Sequence, residues 1–202
     1  MAHIPDGVVT IPVLAAGAAI TVGGLAWGLR ALSPERMPRV AVLSAVFFVA
    51  SLIHLPAGPA SVHLILNGLM GAVLGAAAYP AIVVALLLQA VLFGFGGLAV
   101  LGVNAADMGV PALLAGLAFR ALWRRDAPRR TAVLGALCGG GAVVLTSLML
   151  AGALALSGRE FLPAAQVVLL TALPVVAVEA AFTAAALGLI ARVKPELLEQ
   201  ES

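Results

Sequence analysis

The sequence predicts an all-α membrane protein of seven transmembrane helices, and three observations carry that expectation. Of its 202 residues 63% are hydrophobic and 10% charged, with a mean hydropathy of +1.16. A soluble domain carries about a quarter charged residues, so no water-exposed surface can be built from this composition. The apolar runs are long, unalternating and rich in Leu, Val, Ala and Gly, which suits helices and not a β-barrel. The basic residues are gathered into short clusters between those runs. A net charge of +2 made this way is membrane-border charge and implies no nucleic-acid partner. The single cysteine, Cys138, lies within an apolar run, so an internal disulfide is excluded and a packed core thiol is expected. Asp6 stands where a signal peptide would be basic, and no clear cleavage site follows, so the start is not expected to be a signal peptide.

A hydrocarbon core of about 30 Å takes roughly 20 apolar residues per helix, fewer where a helix is buried. On that basis residues 1–202 form a single transmembrane domain, with an amino-terminal segment at 1–7. Its segments are expected at about 7–30, 40–55, 61–78, 80–101, 106–123, 131–157 and 163–192. The first ends at Arg30, and the second ends at Leu55-Pro56-Ala57-Gly58-Pro59, which cannot continue a helix. Ser61 is the expected N-cap of the third, and Pro80 alone parts it from the fourth, so one bent re-entrant unit is the alternative there. Asn104, Asp107 and Met108 fall in the connection between segments four and five. Small residues recur at Gly17, Gly23-Gly24, Gly68, Gly71, Gly75, Gly135 and Gly139–Gly141, which reads as close helix packing ahead of a face for a partner subunit.

The basic residues orient the segments. Arg30, Arg36 and Arg39 lie between segments one and two, Arg120, Arg124, Arg125, Arg129 and Arg130 between five and six, and Arg192 and Lys194 after seven. The seven-segment count puts all of these on one side and Arg159 alone on the other. Excess positive charge marks the cytoplasmic side, so the amino terminus is expected outside and the carboxyl terminus in the cytoplasm, across the cell (inner) membrane. The only histidines, His3, His54 and His63, then all fall at the outer face.

That clustering suggests metal chemistry. A histidine near a free terminus can close planar chelate rings from the terminal amine, backbone amide nitrogen and imidazole Nδ1. If Met1 is removed, Ala2-His3 offers three nitrogens in a plane with one position open. If Met1 stays, Met1-Ala2-His3 can supply four. Either arrangement rewards Ni(II) or Cu(II) over the tetrahedral preference of Zn(II). An incidental histidine on a frayed end is the plain alternative. Pro5 and the Asp6-Gly7 turn argue against fraying, because they let the terminus fold back into the protein.

His63, expected in the first turn of segment three, is costly at a membrane boundary and so reads as a site residue or an interface anchor. Asn67, one turn further on that helix, would accept a hydrogen bond from a metal-binding side chain or make a packing hydrogen bond. His54 reads as a partner orienting His63 or as an interfacial residue, and less readily as a ligand. Asn104 and Asp107 would line an outer vestibule or a solvated loop. Glu179 is the only acid deep in the membrane, with a pairing role, to Gln89 for instance, placed ahead of proton coupling. No P-loop or catalytic dyad occurs, so the chain is not expected to be an enzyme or to hydrolyse ATP itself.

Several of these stretches together resemble a known family. They are His3-Ile4-Pro5-Asp6-Gly7, His54-Leu55-Pro56-Ala57-Gly58-Pro59-Ala60-Ser61-Val62-His63-Leu64, Gln89 to Leu98, and Gly102 to Gly109. The chain is similar here to the CbiM/NikM proteins, the substrate-binding S components of energy-coupling-factor transporters for cobalt and nickel. The resemblance covers most of residues 1–125 and extends more loosely to about 192. It implies seven helices and a nearly square-planar metal site formed by the terminal amine, the amide and imidazole nitrogens of His3, and His63. Family members commonly start Met-His, so the extra Ala2 is a departure. Loss of Met1 would leave the Ala2 amine as the terminal nitrogen, whereas retention would displace His63 to an axial or outer role; loss is the favoured reading. The resemblance also implies a membrane T component, two ATPase subunits and a small auxiliary membrane subunit as partners. The arginine-rich stretch 120–130 is a candidate docking surface for them. Nickel uptake is the first expectation. The alternatives are Co(II) uptake for cobalamin synthesis, or a secondary proton-coupled metal transporter using Glu179.

Overall fold

The computed structural model describes residues 3–52, 54–57, 60–125 and 127–199, and of 54–57 and 60–63 the backbone alone. Among the described residues there are seven α-helices: α1 (Ile11–Arg30), α2 (Met37–Leu52), α3 (Asn67–Leu74), α4 (Ala78–Phe93), α5 (Leu101–Leu122), α6 (Pro128–Ser157) and α7 (Leu162–Val193). Two short strands, β1 (His54–Ala57) and β2 (Ala60–His63), interrupt the helical plan. Among the described residues five stretches are long and apolar enough to cross a membrane, Ile11–Arg30, Asn67–Phe93, Leu101–Leu122, Pro128–Ser157 and Arg159–Val193, but Asn67–Phe93 is divided by a 3₁₀ turn at Gly75–Ala77 and is not one straight helix. The 16 residues of α2 are apolar but shorter. Large apolar side chains such as Leu137, Leu170, Leu173 and Leu189 stand exposed on the helices, as a hydrocarbon solvent requires.

Helix pairing follows from the glycines. A methyl group at Gly135 would meet Ala184, at Gly139 the Thr183 side chain and Glu179 carbonyl, and at Gly140 Ala180. Ala132 lies against Gly188, so residue numbers rise on α6 as they fall on α7, and the two helices are antiparallel. A 3₁₀ turn at Arg159–Phe161 joins them. The expected close internal packing is present, and it is selective. Gly24 packs against Tyr79 and Gly28 against Pro80, whereas Gly23 and Gly141 face open space.

The third segment differs most from expectation. His63 is not in a helix and Ser61 is not a cap, because His54–Ala57 and Ala60–His63 pair as antiparallel strands. His54 pairs with His63, and Leu55 with Val62. Pro56 and Pro59 each lack an N–H and cannot sustain a helix across this stretch. The helix begins only at Asn67, after Leu66 takes a left-handed conformation with φ 55°. Asn67 is therefore not a turn below His63 on one helix, and His54 opens a strand rather than closing segment two.

Beyond Asn67 the chain runs through α3 and then reverses. Asn67 bonds Met108, Gly71 abuts Ala112, and Gly75 lies against Gly116, so α3 runs alongside α5 in the same direction. Tyr79 then packs on Gly109 and Gly96 on Asn104, so α4 runs back the other way. The eight residues of α3 rise about 12 Å, too little to cross a bilayer alone. The break is at Gly75, with φ 59° and ψ −132°, and not at Pro80, which sits in the first turn of α4 where its missing N–H costs nothing.

Helix α4 ends at Phe93, with Gly94 left-handed behind it, and α5 starts at Leu101. Asn104, Asp107 and Met108 are thus inside α5 and buried, not in a connecting loop.

Contacts sort the basic clusters to one end of the molecule. Arg36 donates to the carbonyls of Ala31 and Leu74, Arg39 to that of Leu197, and Arg125 pairs with Glu199 at 2.6 Å. A cavity of about 430 Å³ at this end is lined by Trp27, Arg30, Arg36 and Arg120. The described amino-terminal residues lie at the other end, where the Thr10 N–H donates to the Ser157 hydroxyl.

Candidate metal site

The amino-terminal segment is folded into the protein and held there by specific bonds. Ile4 is buried, its N–H donating to Asn104 Oδ1 at 2.9 Å and its carbonyl accepting from Asn104 Nδ2 at 3.0 Å. One side chain thus meets both backbone groups of one residue, the service a neighbouring strand would provide. Asp6 Oδ1 accepts the Val100 N–H at 3.0 Å, and Gly7 has φ 83°, so the anticipated Asp6-Gly7 turn is present. This turn aims the chain into α1.

The loop between α4 and α5 forms the other wall. The Phe95 ring lies 6.3 Å from that of His3 with 18° between their planes. Gly96, at φ 75°, brings its backbone so close that an added methyl would touch the Asn104 amide at 2.7 Å and His3 Cβ at 3.6 Å. A methyl at Gly97 would overlap the Asp6 carboxylate. Two adjacent glycines are needed here because backbone, not side chain, packs against the terminal segment. Gly96, Gly97 and Phe95 as parts of this wall were not anticipated from sequence; the signal was the Phe-Gly-Gly run directly ahead of a helix.

Asn104 therefore serves as the clasp on the amino-terminal segment rather than as a vestibule residue. Asp107, one turn deeper in α5, is 4% exposed, and its Oδ2 has no hydrogen-bond partner among the described residues. Asn67 is fully buried and fully committed. Its Nδ2 donates to the Met108 carbonyl at 3.1 Å and the Thr146 hydroxyl at 2.9 Å, while its Oδ1 accepts the Gly68 N–H at 3.0 Å. That is a joint between α3, α5 and α6.

The expected pairing of Glu179 with Gln89 is not found. Gln89 Nε2 donates to the Ser51 hydroxyl at 2.6 Å, which joins α4 to α2. Glu179 Oε1 instead accepts the N–H groups of Ile65 and, at 2.8 Å, Leu66. Both carboxamide and carboxylate are fully buried. Sequence could not pair them correctly, because the bend that brings Ile65 and Leu66 to α7 depends on a left-handed leucine.

Of the expected ligands, His3 is placed in the clasped segment and His63 on β2, opposite His54. Met1 and Ala2, which would carry the terminal amine, lie outside the described residues. Among the described residues no group of three or more His, Cys, Asp or Glu converges. The anticipated set needs only two histidines and a terminal amine, so that observation does not bear on it.

A multi-helix membrane protein whose amino-terminal histidine segment is drawn into its own fold is the class these features define. The chain belongs to the family of the cobalt uptake substrate-specific transmembrane region, whose family model matches residues 3–197. It is 40% identical to a putative metal transport protein of Haemophilus influenzae, over 98% of this chain and 97% of that one. It is 37% identical to a fused nickel transport protein, NikMN, of Rhodobacter capsulatus, over 62% of this chain and 38% of that longer protein. A cobalt transport protein CbiM of Geobacter sulfurreducens is 31% identical over 97% of this chain and 61% of its own. In fold, the crystal structure of a transition metal transporter superimposes with a TM-score of 0.75 at 23% identity, covering 95% of this chain and 93% of the other. The protein is a multi-pass membrane protein of a metal-transport family.

Proposed function

We propose that the protein is the metal-binding S subunit of an energy-coupling-factor importer. It captures Ni(II), in preference to Co(II), at the outer face through the terminal amine, His3 and His63. The observation that carries this reading is the double hydrogen bond from Asn104 to the backbone of Ile4. Holding the segment around Ile4 this tightly costs about 1–2 kcal/mol of conformational entropy per residue fixed, which favours a role for its position. Held this way, His3 needs no search to meet an ion.

Four nitrogens in a plane favour Ni(II) over Co(II), which accepts such a site less readily. Relatives carrying both nickel and cobalt in their names are compatible with either ion. The amino terminus faces outward and the carboxyl terminus the cytoplasm on this reading. That orientation is supported by the basic residues gathered at the end opposite the clasp. A T component and two ATPase subunits would supply the driving force, with a small auxiliary membrane subunit beside them.

The test takes purified protein, fixes its first residue by intact mass, and titrates Ni(II) and Co(II) into wild type and His63→Ala. Stoichiometric Ni(II) binding on an Ala2 terminus, lost in His63→Ala, supports the four-nitrogen site. Binding that survives His63→Ala with Met1 present would assign the metal to the terminus alone. No binding in the wild type would refute the reading.

A further inference from the structure

The buried acid of α7 has a task outside the clasp. Its surroundings are the junction where β2 passes into α3. Leu66 takes φ 55°, a conformation costly for a side chain with a Cβ, and persists only where neighbours enforce it. Glu179 Oε1 accepts both consecutive N–H groups at that bend, from Ile65 and Leu66. These donors directly precede the first turn of α3.

The acid is itself immobilised. Gly68 lies against the Cys138 carbonyl, and Gly139 against the Thr183 hydroxyl and the Glu179 carbonyl. Helices α3, α6 and α7 are therefore in backbone contact around this point. Glu179 Oε2 is buried with no hydrogen-bond partner among the described residues. One oxygen does the bridging, and the second contributes no bond to it.

We propose that Glu179 is a positioning residue for the metal site: it fixes the bend at Ile65–Leu66 and so sets where the strand bearing His63 leaves α3, without touching the ion. This rests on the reading that His63 is a ligand. The requirement is for one correctly placed acceptor oxygen, not for a charge and not for a transferable proton.

Two substitutions separate those requirements. Glu179→Gln keeps the length and an acceptor oxygen and removes the charge. Glu179→Asp keeps the carboxylate and withdraws it by one methylene from the two N–H groups. In the full-length protein, Ni(II) affinity of Glu179→Gln should stay within about threefold of wild type. Glu179→Asp should lose roughly 10- to 100-fold, the usual effect of removing a group that orients a ligand, and shift the visible Ni(II) absorption. The reverse pattern, Gln impaired and Asp intact, overturns the proposal in favour of a charge or proton role, as does wild-type behaviour in both.

Amide exchange on the wild-type protein tests the bridge without any variant. Ile65 and Leu66 should be among its most slowly exchanging amides outside regular helix, and rapid exchange there overturns the proposal. Absence of Ni(II) or Co(II) binding in the wild type would instead fail the metal-site reading beneath it, a result distinguishable from either pattern.

Discussion

Asn104 shows how one side chain can order a chain terminus. Its amide presents a donor and an acceptor at the spacing of a backbone peptide group, and Ile4 takes up both. Replacing it with alanine leaves a buried N–H and a buried carbonyl unpaired. At about 1 kcal/mol net per bond, Asn104→Ala should weaken the docked state of the terminus by about 2 kcal/mol. If the docked terminus supplies metal nitrogens, Ni(II) affinity should fall roughly 30-fold, measurable by competition with a coloured chelator. Unchanged affinity would separate the clasp from metal binding. Asp6 follows the same logic with less at stake. Asp6→Asn retains an oxygen for the Val100 N–H and should bind Ni(II) nearly as wild type, as the same competition assay would report.

At the scale of the elements, α3 is the exceptional one. It is short, wholly buried and in backbone contact with two neighbours through Gly68 and Gly71. A methyl at Gly71 would overlap the Ala112 carbonyl, which belongs to the α5 backbone and cannot turn aside. Gly71→Ala should therefore destabilise by about 1–3 kcal/mol. Gly23→Ala, on the open face of α1, should be neutral or gain up to about 1 kcal/mol from helix propensity. Thermal melts of the two variants in one detergent should bracket the wild type in that order.

This element also marks the limit of what was legible. The termini of α1, α6 and α7 follow from arginines and prolines at their borders, and each falls within a few residues of expectation. The paired strands were not readable, since four-residue strands, one of them interrupted by Pro56, leave no periodicity to detect. Nor was the reversal at Gly75, because a glycine within a run of small residues reads as packing. The candidate site was half visible. His3 and the Asp6-Gly7 turn stood out, while Asn104 and Asp107 read as loop because polar side chains in an apolar stretch suggest one, and the Ile4 backbone that Asn104 bonds is 100 residues away in sequence.

Over the whole molecule, charge and polarity divide between two ends. One holds the arginine clusters, the cavity between Arg30, Arg36 and Arg120, and the Arg125–Glu199 pair. The other holds the clasped amino terminus. On the proposed orientation, in a Cys138→Ser background, Glu160→Cys should react with a membrane-impermeant maleimide on intact cells. Arg124→Cys should react only after permeabilisation. The opposite result would invert the protein and place the histidines in the cytoplasm. The role proposed for the amino terminus is to supply nitrogens to the ion. Its most direct test is X-ray absorption at the nickel edge on the loaded protein, with its native terminus and with a short peptide fused ahead of Met1. A four-coordinate planar, nitrogen-only spectrum that the fusion abolishes is the predicted result. A six-coordinate, oxygen-rich spectrum, or one the fusion leaves unchanged, would contradict it.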